Sequence, residues 1–254
     1  MKITVITAVF NRAATVGQAA QSVLSQTHRD VEYLVQDGGS TDGTLEVLRG
    51  IDDPRMHIVS EPDGGIYDAL NRAIARATGD VVGLMHSDDF FAHERVLERV
   101  ATAFADPSVD GVYGDLDYVS EADPARVIRH WRAGTYAPHR LRHGWMPPHP
   151  TLYLRHEVLA RWGSYDTSYR IAADYEAMLR WLMKGKLRLA YLPEVMVKMR
   201  VGGASNRSFK HILRKSLEDH RALRRNGVGS FYTLAGKNLS KIKQFWERDC
   251  GSIR

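Results

Sequence analysis

The chain has one cysteine, Cys250, among 254 residues. No disulfide can close within it and no centre of several thiolates can form, so stapled scaffolds and cysteine metal sites are excluded, and a reducing compartment is expected. Long hydrophobic runs are missing as well. The longest near the start, Ile3 to Phe10, is broken by Thr4 and Thr7 and falls far short of the roughly 20 residues a membrane span needs. Neither a signal peptide nor a transmembrane helix is expected. The familiar nucleotide fingerprints, G-x-G-x-x-G after the first strand and the Walker loop, are absent, which argues against dehydrogenases and P-loop kinases. H-E-x-x-H and G-x-S-x-G are absent too, so zinc proteases and serine hydrolases of those types lose support.

What is present is the composition of a globular chain, 44% hydrophobic and 26% charged, long enough for one large domain or a domain with an appendage. The net charge of +5 is unevenly spread: residues 1–206 carry 23 Lys and Arg against 26 Asp and Glu, and residues 207–254 carry 12 against 4. A basic tail on a mildly acidic body speaks for a local anionic partner such as a membrane surface, not for a protein coated in nucleic acid.

The first 120 residues alternate β-rich runs with segments of helical period, the pattern of a parallel sheet with crossover helices. Strands are expected at Lys2–Phe10, Val31–Gln36, Met56–Ser60, Asp80–Met85 and Gly111–Val119. Helices are expected at Thr15–Thr27, with Thr15 and Gln18 at capping-box spacing, near Thr44–Leu48, and over Ile66–Ala77 and His93–Ala105. His130 to His156 holds five His, two Trp, two Tyr and four Pro and reads as a ligand-gripping surface loop or an ordinary irregular one. A helix over Tyr175–Met183, a strand over Leu187–Leu192 closed by Pro193, and a basic amphipathic helix from Ser208 to Arg225 follow. The last carries Phe209, Ile212, Leu213, Leu217 and Leu223 on one side, and reads either as a membrane contact or as a helix packed on the body.

In an open parallel α/β sheet, ligands bind beyond the carboxyl ends of the strands. Polar groups collect there four times: Asn11-Arg12, Asp37-Gly38-Gly39-Ser40, Glu61-Pro62-Asp63-Gly64-Gly65, and Ser87-Asp88-Asp89. Each alone is ordinary turn chemistry; four consecutive strand ends together point to a site. Adjacent carboxylates at the end of a buried strand repel each other and invite a cation, and hard oxygen ligands select Mg²⁺ or Mn²⁺.

These residues resemble a known family. Ile3 to Asn11, Val35 to Thr44, Gly79 to Asp89 and Ala172-Ala173-Asp174-Tyr175-Glu176 stand in the order and spacing of family 2 glycosyltransferases with the GT-A fold. Ser60 to Asn71 and Val201-Gly202-Gly203-Ala204-Ser205 resemble the subgroup that builds bacterial exopolysaccharides of the colanic-acid type. The resemblance implies an α/β, Rossmann-like fold with a mainly parallel sheet, a transferase domain at 1–205 and a helical extension at 206–254. It further implies an inverting, metal-dependent transfer from a nucleotide sugar, a UDP-sugar before a GDP- or dTDP-sugar, to a glycan or lipid-linked acceptor. Thr7, Ala8, Phe10, Asn11 and Arg12 would line the nucleotide, with Gly39, Ser40 and Ser87 beside it, and Asp37 would meet the base. Asp63, Gly65 and Asp68 would shape the diphosphate and ribose side. Asp89 would be the main ligand of Mn²⁺ or Mg²⁺, with Asp88 supporting it. His149 would sit near the diphosphate or acceptor, and Asp174 would be the base. Ala173 replaces the acidic neighbour usual in the family, and Ala8 its usual proline. Trp131 and Trp145 would stack on a sugar or plug the core. The enzyme is expected in the cytoplasm, at the inner membrane face, without nucleic acid as partner. The rival reading is a catalytically silent module that binds nucleotide sugar or glycan for a membrane synthase.

Overall fold

Strands β1 (Ile3–Val9) and β2 (Val31–Asp37) are buried along nearly their whole length, as strands covered on both faces are. The computed structural model describes residues 1–201 and 209–228, the latter with side chains from Arg214 onward. Beside β1 and β2 lie β3 (Met56–Ser60) and β4 (Val81–Leu84), all parallel, in the order β3-β2-β1-β4. The short β8 (Tyr153–Arg155) joins β4 antiparallel and passes the sheet on to β6 (Gly111–Ser120), β9 (Leu189–Val201) and β5 (Phe90–Phe91). β9 runs parallel along one edge of β6. The other edge of β6 takes β8 at its first two residues and β7 (Val127–Trp131) at Leu116–Val119.

Side-chain alternation sends Ile3, Val5 and Val9 of β1 to one face and Ile6 to the other. The first face packs on α1 (Ala13–Leu24) and α4 (Val96–Ala103). The second packs on α3 (Ile66–Ile74), α6 (His156–Trp162), α7 (Ala173–Leu179) and α8 (Phe209–Arg225). Two shorter helices, α2 (Thr44–Arg49) and α5 (Pro138–Leu141), close connections. Gly83 matters for the packing: a Cβ there would sit 2.1 Å from the ring of Tyr153, so only glycine lets β8 lie against β4.

The expected elements of the first 120 residues are present, and the departures have physical causes. α1 starts at Ala13 with Arg12 as its N-cap; Thr15 caps nothing and instead donates to the Ser87 carbonyl at 2.9 Å. Pro193 does not end a strand. β9 continues to Val201, and the register against β6 slips between Gly114 and Leu116, so the proline occupies a bulge where no ladder hydrogen bond is asked of it. α7 begins earlier than expected and continues as a π-helical turn, Arg180–Lys184. The segment from His130 to His156 contains β7's end, α5, a 3-10 turn at His149–Thr151 and β8. Trp145 takes the plugging role there: its Nε1 donates to the Ala133 carbonyl at 2.7 Å, between the rings of Tyr113 and Tyr136.

α8 is not a loose appendage. Ala222, Leu223 and Val228 are fully buried in the same core as α7, while Leu217, expected on the apolar side, is 62% exposed. The side chains of Phe209, Ile212 and Leu213, the Gly202 to Ser205 motif, Cys250 and the 205/206 boundary lie outside the described residues.

Candidate active site

The first two strand ends are stitched to each other. Asn11 adopts φ +51°; its N–H donates to Ser40 Oγ at 2.8 Å and its side-chain oxygen accepts from the Thr41 N–H at 2.9 Å. The Arg12 and Ala13 N–H groups donate to Thr44 Oγ1 and Asp42 Oδ2. Backbone donors at the start of α1 are thus satisfied by the β2–α2 loop, which has no other reason to lie there. Gly39, at φ +87°, provides the turn an L side chain would strain.

Two of the expected nucleotide contacts have enclosed side chains here. Thr7 is wholly enclosed, its hydroxyl donating to the Met85 carbonyl at 2.7 Å and lying 3.0 Å from the Tyr33 hydroxyl; alternation puts it on the opposite face from the half-buried Ala8. It supports the β1–β4 junction. Asp37 is likewise enclosed, and its carboxylate accepts from the Gly39 and Ser40 N–H groups and the Ser40 and Ser60 hydroxyls. Burial alone would raise its pKa, and these hydrogen bonds outweigh it and hold the group below the usual carboxylate range. It organises the loop from within.

The exposed side of the same loops carries the remaining candidates. Phe10 is 58% exposed. A Cβ on Gly38 would fall 2.6 Å from Asp63 Oδ2 and 3.5 Å from the Phe10 ring, so the glycine is what lets Phe10 and Asp63 converge. Asp63 accepts from the Gly65 N–H at 2.7 Å, and Asp68 from the Gly64 N–H at 2.9 Å while pairing with Arg72 at the same distance. Gly65, at φ +113°, is the N-cap of α3. These three residues fold the β3–α3 loop onto itself.

At the end of β4 the acidic pair divides its duties. Asp88 lines a cleft of about 400 Å³ together with Asn11, Arg12, Thr15, Glu121 and Arg200. Ser87 is buried behind it. Asp89 is buried: Oδ1 accepts from the Arg200 N–H at 3.0 Å, and Oδ2 has no partner in the structure. Burial and then the charge of Asp88 push its pKa up to about 8, with Arg200 opposing. A buried carboxylate oxygen left without a donor is costly unless a cation meets it, so the donor set fits a hard divalent ion. Among the described residues no group of three or more His, Cys, Asp or Glu side chains could hold such an ion by itself.

Asp174 stands in the first turn of α7, half-buried, with Oδ1 3.2 Å from the Tyr67 hydroxyl. The single Tyr67 hydroxyl proton is shared between this oxygen and the Ile171 carbonyl, 2.8 Å away. The Tyr67 pKa is raised by burial and then by the charge of Asp174, so the hydroxyl remains a donor. Around them lie His149, whose Nε2 is 2.9 Å from the Tyr165 hydroxyl, and His86, whose ring centre is 6.1 Å from that of His149. Burial lowers both imidazoles, His149 to about 4 despite Asp174, and His86 against the charges of Asp88 and Asp174. Both are neutral at pH 7, and His86 links the two sets of carboxylates. Tyr165 is tied to α3 by two bonds, Asn71 donating to its carbonyl at 2.8 Å and accepting from its N–H at 2.9 Å.

Tyr67, His86, Tyr165 and Arg200 belong to this arrangement and were not singled out from sequence. His86 alone had a cue there, as the residue between a buried strand and Ser87-Asp88-Asp89; the others reach the site through contacts remote in the chain.

Residues 4–162 match the profile of glycosyl transferase family 2. An uncharacterized glycosyltransferase of Mycobacterium tuberculosis, Rv1514c, is 32% identical over 186 residues, covering 70% of this chain and 68% of its own length. A PGL/p-HBAD biosynthesis glycosyltransferase of Mycobacterium bovis is 31% identical over 209 residues, 80% of this chain and 78% of its own. Among solved structures, the mannosyltransferase PcManGT from Pyrobaculum calidifontis, in complex with GDP-Man and Mn²⁺, superposes with a TM-score of 0.64 at 20% identity, over 88% of this chain and 63% of that one. Residues 1–349 of S. aureus TarS in complex with UDP-GlcNAc give 0.65 at 18% identity, over 90% and 66%. The chain thus spans just under two thirds of PcManGT and of the 1–349 piece of TarS, and what they share with it is the fold.

Proposed function

The chain belongs to glycosyl transferase family 2, has the GT-A fold and is a nucleotide-sugar glycosyltransferase; from that premise we propose that it works by one inverting displacement, with Asp174 as base and a divalent cation on Asp89 and Asp88. The observation that carries this reading is the buried Asp89 oxygen without a partner, set at the end of β4 near a second, independently held carboxylate. Asp174 keeps Oδ2 free of the Tyr67 bond and takes the proton of the acceptor hydroxyl as its oxygen attacks the anomeric carbon. The nucleoside diphosphate departs from the other face, and one displacement inverts the centre. When bound, a divalent cation neutralises charge growing on that leaving group. Phe10, Asp63, Asp68 and Arg12 surround the donor, and neutral His86 and His149 hold the space between the two carboxylate sets without forming an ion pair with Asp174.

The donor is a nucleoside diphosphate sugar, a UDP-sugar before a GDP- or dTDP-sugar; the solved neighbours are described with UDP-GlcNAc and with GDP-Man. The acceptor is a glycan or lipid-linked hydroxyl in cell-surface polysaccharide assembly of the exopolysaccharide type, a reading supported by the biosynthetic description of the Mycobacterium bovis relative. A peripheral membrane contact through the basic tail would bring enzyme and acceptor together.

A melting-temperature screen of UDP-, GDP- and dTDP-sugars with and without Mn²⁺ tests this. One donor should raise the midpoint in a Mn²⁺-dependent way, and EDTA or Asp89→Ala should abolish both that shift and transfer. Tight nucleotide binding with no turnover over a broad panel of acceptors would overturn the catalytic reading in favour of a silent binding module.

A further inference from the structure

α7 carries Asp174, yet its N-cap is Ala172, whose side chain can accept no hydrogen bond, and no side-chain cap is made locally. Ser, Thr, Asp or Asn would ordinarily stand there. The missing acceptor arrives from α8. Glu218 Oε2 accepts from the Ile171 N–H at 2.8 Å and from the Ala172 N–H at 3.0 Å, and its Oε1 from the Arg170 N–H at 3.2 Å. Three consecutive peptide groups leading into α7 therefore point at one carboxylate 46 to 48 residues further along the chain. The Ile171 peptide is gripped on both sides, by Glu218 through its N–H and by Tyr67 through its carbonyl. Tyr67 is also the residue that touches Asp174.

The helix bearing Glu218 is anchored to the same region. Arg225 pairs with Asp166 at 2.5 Å, Arg221 donates to Ser168 Oγ at 3.2 Å and lies over the Tyr169 ring, and Asn226 donates to the buried Glu176 of α7 at 3.3 Å. Glu218 itself is only 12% exposed. Far more is spent on holding residues 166–172 than a surface helix needs for its own attachment.

Resting on the reading of Asp174 as base, we infer that Glu218 is a positioning residue for the transfer reaction. It fixes the entry of α7, and with it the direction of the Asp174 carboxylate, from a helix beyond the segment that matches the family profile. α8 is therefore part of the catalytic apparatus. Its contribution acts on the proton-transfer geometry and leaves donor binding alone: the contacts of Glu218, Arg221, Arg225 and Asn226 named above go to residues 166–176, away from the β1, β2 and β4 strand ends.

Steady-state kinetics of the full chain with Mn²⁺ and a donor found by the screen above test this. Glu218→Ala should lower kcat on the order of 10- to 100-fold, the scale set by a misplacement of about 1 Å, with donor KM and the nucleotide-induced melting shift within about twofold of wild type. Glu218→Gln can keep its amide oxygen at the Ile171 and Ala172 N–H groups, and should recover kcat to within a few-fold. Leu217→Ala, on the exposed side of the same helix, should behave as wild type. If Asp174→Asn is inactive and Glu218→Ala retains wild-type kcat, the positioning role is wrong and the base assignment stands. If Asp174→Asn transfers at full rate, the base reading fails first. If Glu218→Ala does not fold, Glu218→Asp decides: its shorter carboxylate cannot keep all three N–H groups, so a lowered kcat with donor KM unchanged supports the role, and wild-type kcat, or kcat and donor KM impaired in equal proportion, overturns it.

Discussion

Asp89 and Asp174 are both carboxylates at element ends, held in opposite ways. Asp174 keeps a donor on one oxygen and an open approach to the other, whereas Asp89 is buried with one oxygen bonded to a peptide and the other to nothing. Without a cation, that charge is opposed by desolvation and by Asp88 and works against the fold. Replacing it should therefore stabilise the metal-free protein. Asp89→Asn keeps an oxygen for the Arg200 N–H and removes the charge, and in EDTA at pH 8 its melting temperature should rise by about 2–4 °C, the equivalent of roughly 1 kcal/mol for a chain of this size. The Mn²⁺-induced rise shown by wild type should vanish in the same variant. A lower melting temperature in EDTA would show that Asp89 is stabilised by its surroundings and not held for a ligand. At this scale the acidic pair was legible in the sequence, because Ser87-Asp88-Asp89 directly follows an apolar strand. The enclosure of Asp37 was not: its partners Ser40 and Ser60 come from the loop after β2 and from the end of β3, and only the register of β2 on β3 brings Ser60 opposite it.

Among the elements, β1, β2 and β4 were readable because buried parallel strands are apolar runs that end abruptly in Gly, Asp and Asn. β9 was misread at Pro193, since a two-residue bulge against Gly114 and Asp115 leaves no mark in hydrophobic period. The amino ends of the strands, opposite the site, are tied by Glu32. Burial would raise its pKa, but hydrogen bonds from Thr4, Thr78 and Lys2 outweigh burial and hold it at about 2. The folded pKa lies below the unfolded one, so its contribution is complete above about pH 4.5 and fades as pH falls through about 2. Glu32→Gln should cost about 1–3 kcal/mol at neutral pH. The gap between wild-type and variant unfolding midpoints in urea should be constant from pH 8 to 5 and shrink toward pH 3. A gap that widened on acidification would contradict the network.

For the whole molecule, the uneven charge acquires a location. The helix expected from Ser208 to Arg225 reads from sequence either as a membrane contact or as packed on the body; among its described side chains Arg214 pairs with Glu218 at 3.8 Å and Lys215 with Asp219 at 3.0 Å along the helix, while Arg225 reaches Asp166 at 2.5 Å and Arg221 lies over Tyr169. Ala222 and Leu223 seat α8 on the body of the enzyme, whereas Arg214, Leu217, Arg221, Arg224 and Arg225 stay exposed; Leu217 and Leu223, six residues apart, stand about 120° apart around a helix, so they differ in burial. Among the described residues no helix is long and apolar enough to cross a membrane. An attraction to anionic lipid is expected to draw on residues 229–254, where Lys237, Lys241, Lys243, Arg248 and Arg254 face only Glu247 and Asp249 in count. Polybasic segments gain about 1 kcal/mol per Lys or Arg near such a surface and lose it with salt. Changing Lys237, Lys241 and Lys243 together to Gln should cut co-sedimentation with phosphatidylserine vesicles at least tenfold in 0.1 M salt, leaving kcat on a water-soluble acceptor unchanged. Arg225→Ala should do the reverse, lowering melting temperature and kcat through α8 while vesicle binding persists. Equal loss of vesicle binding in both variants would return the membrane contact to α8.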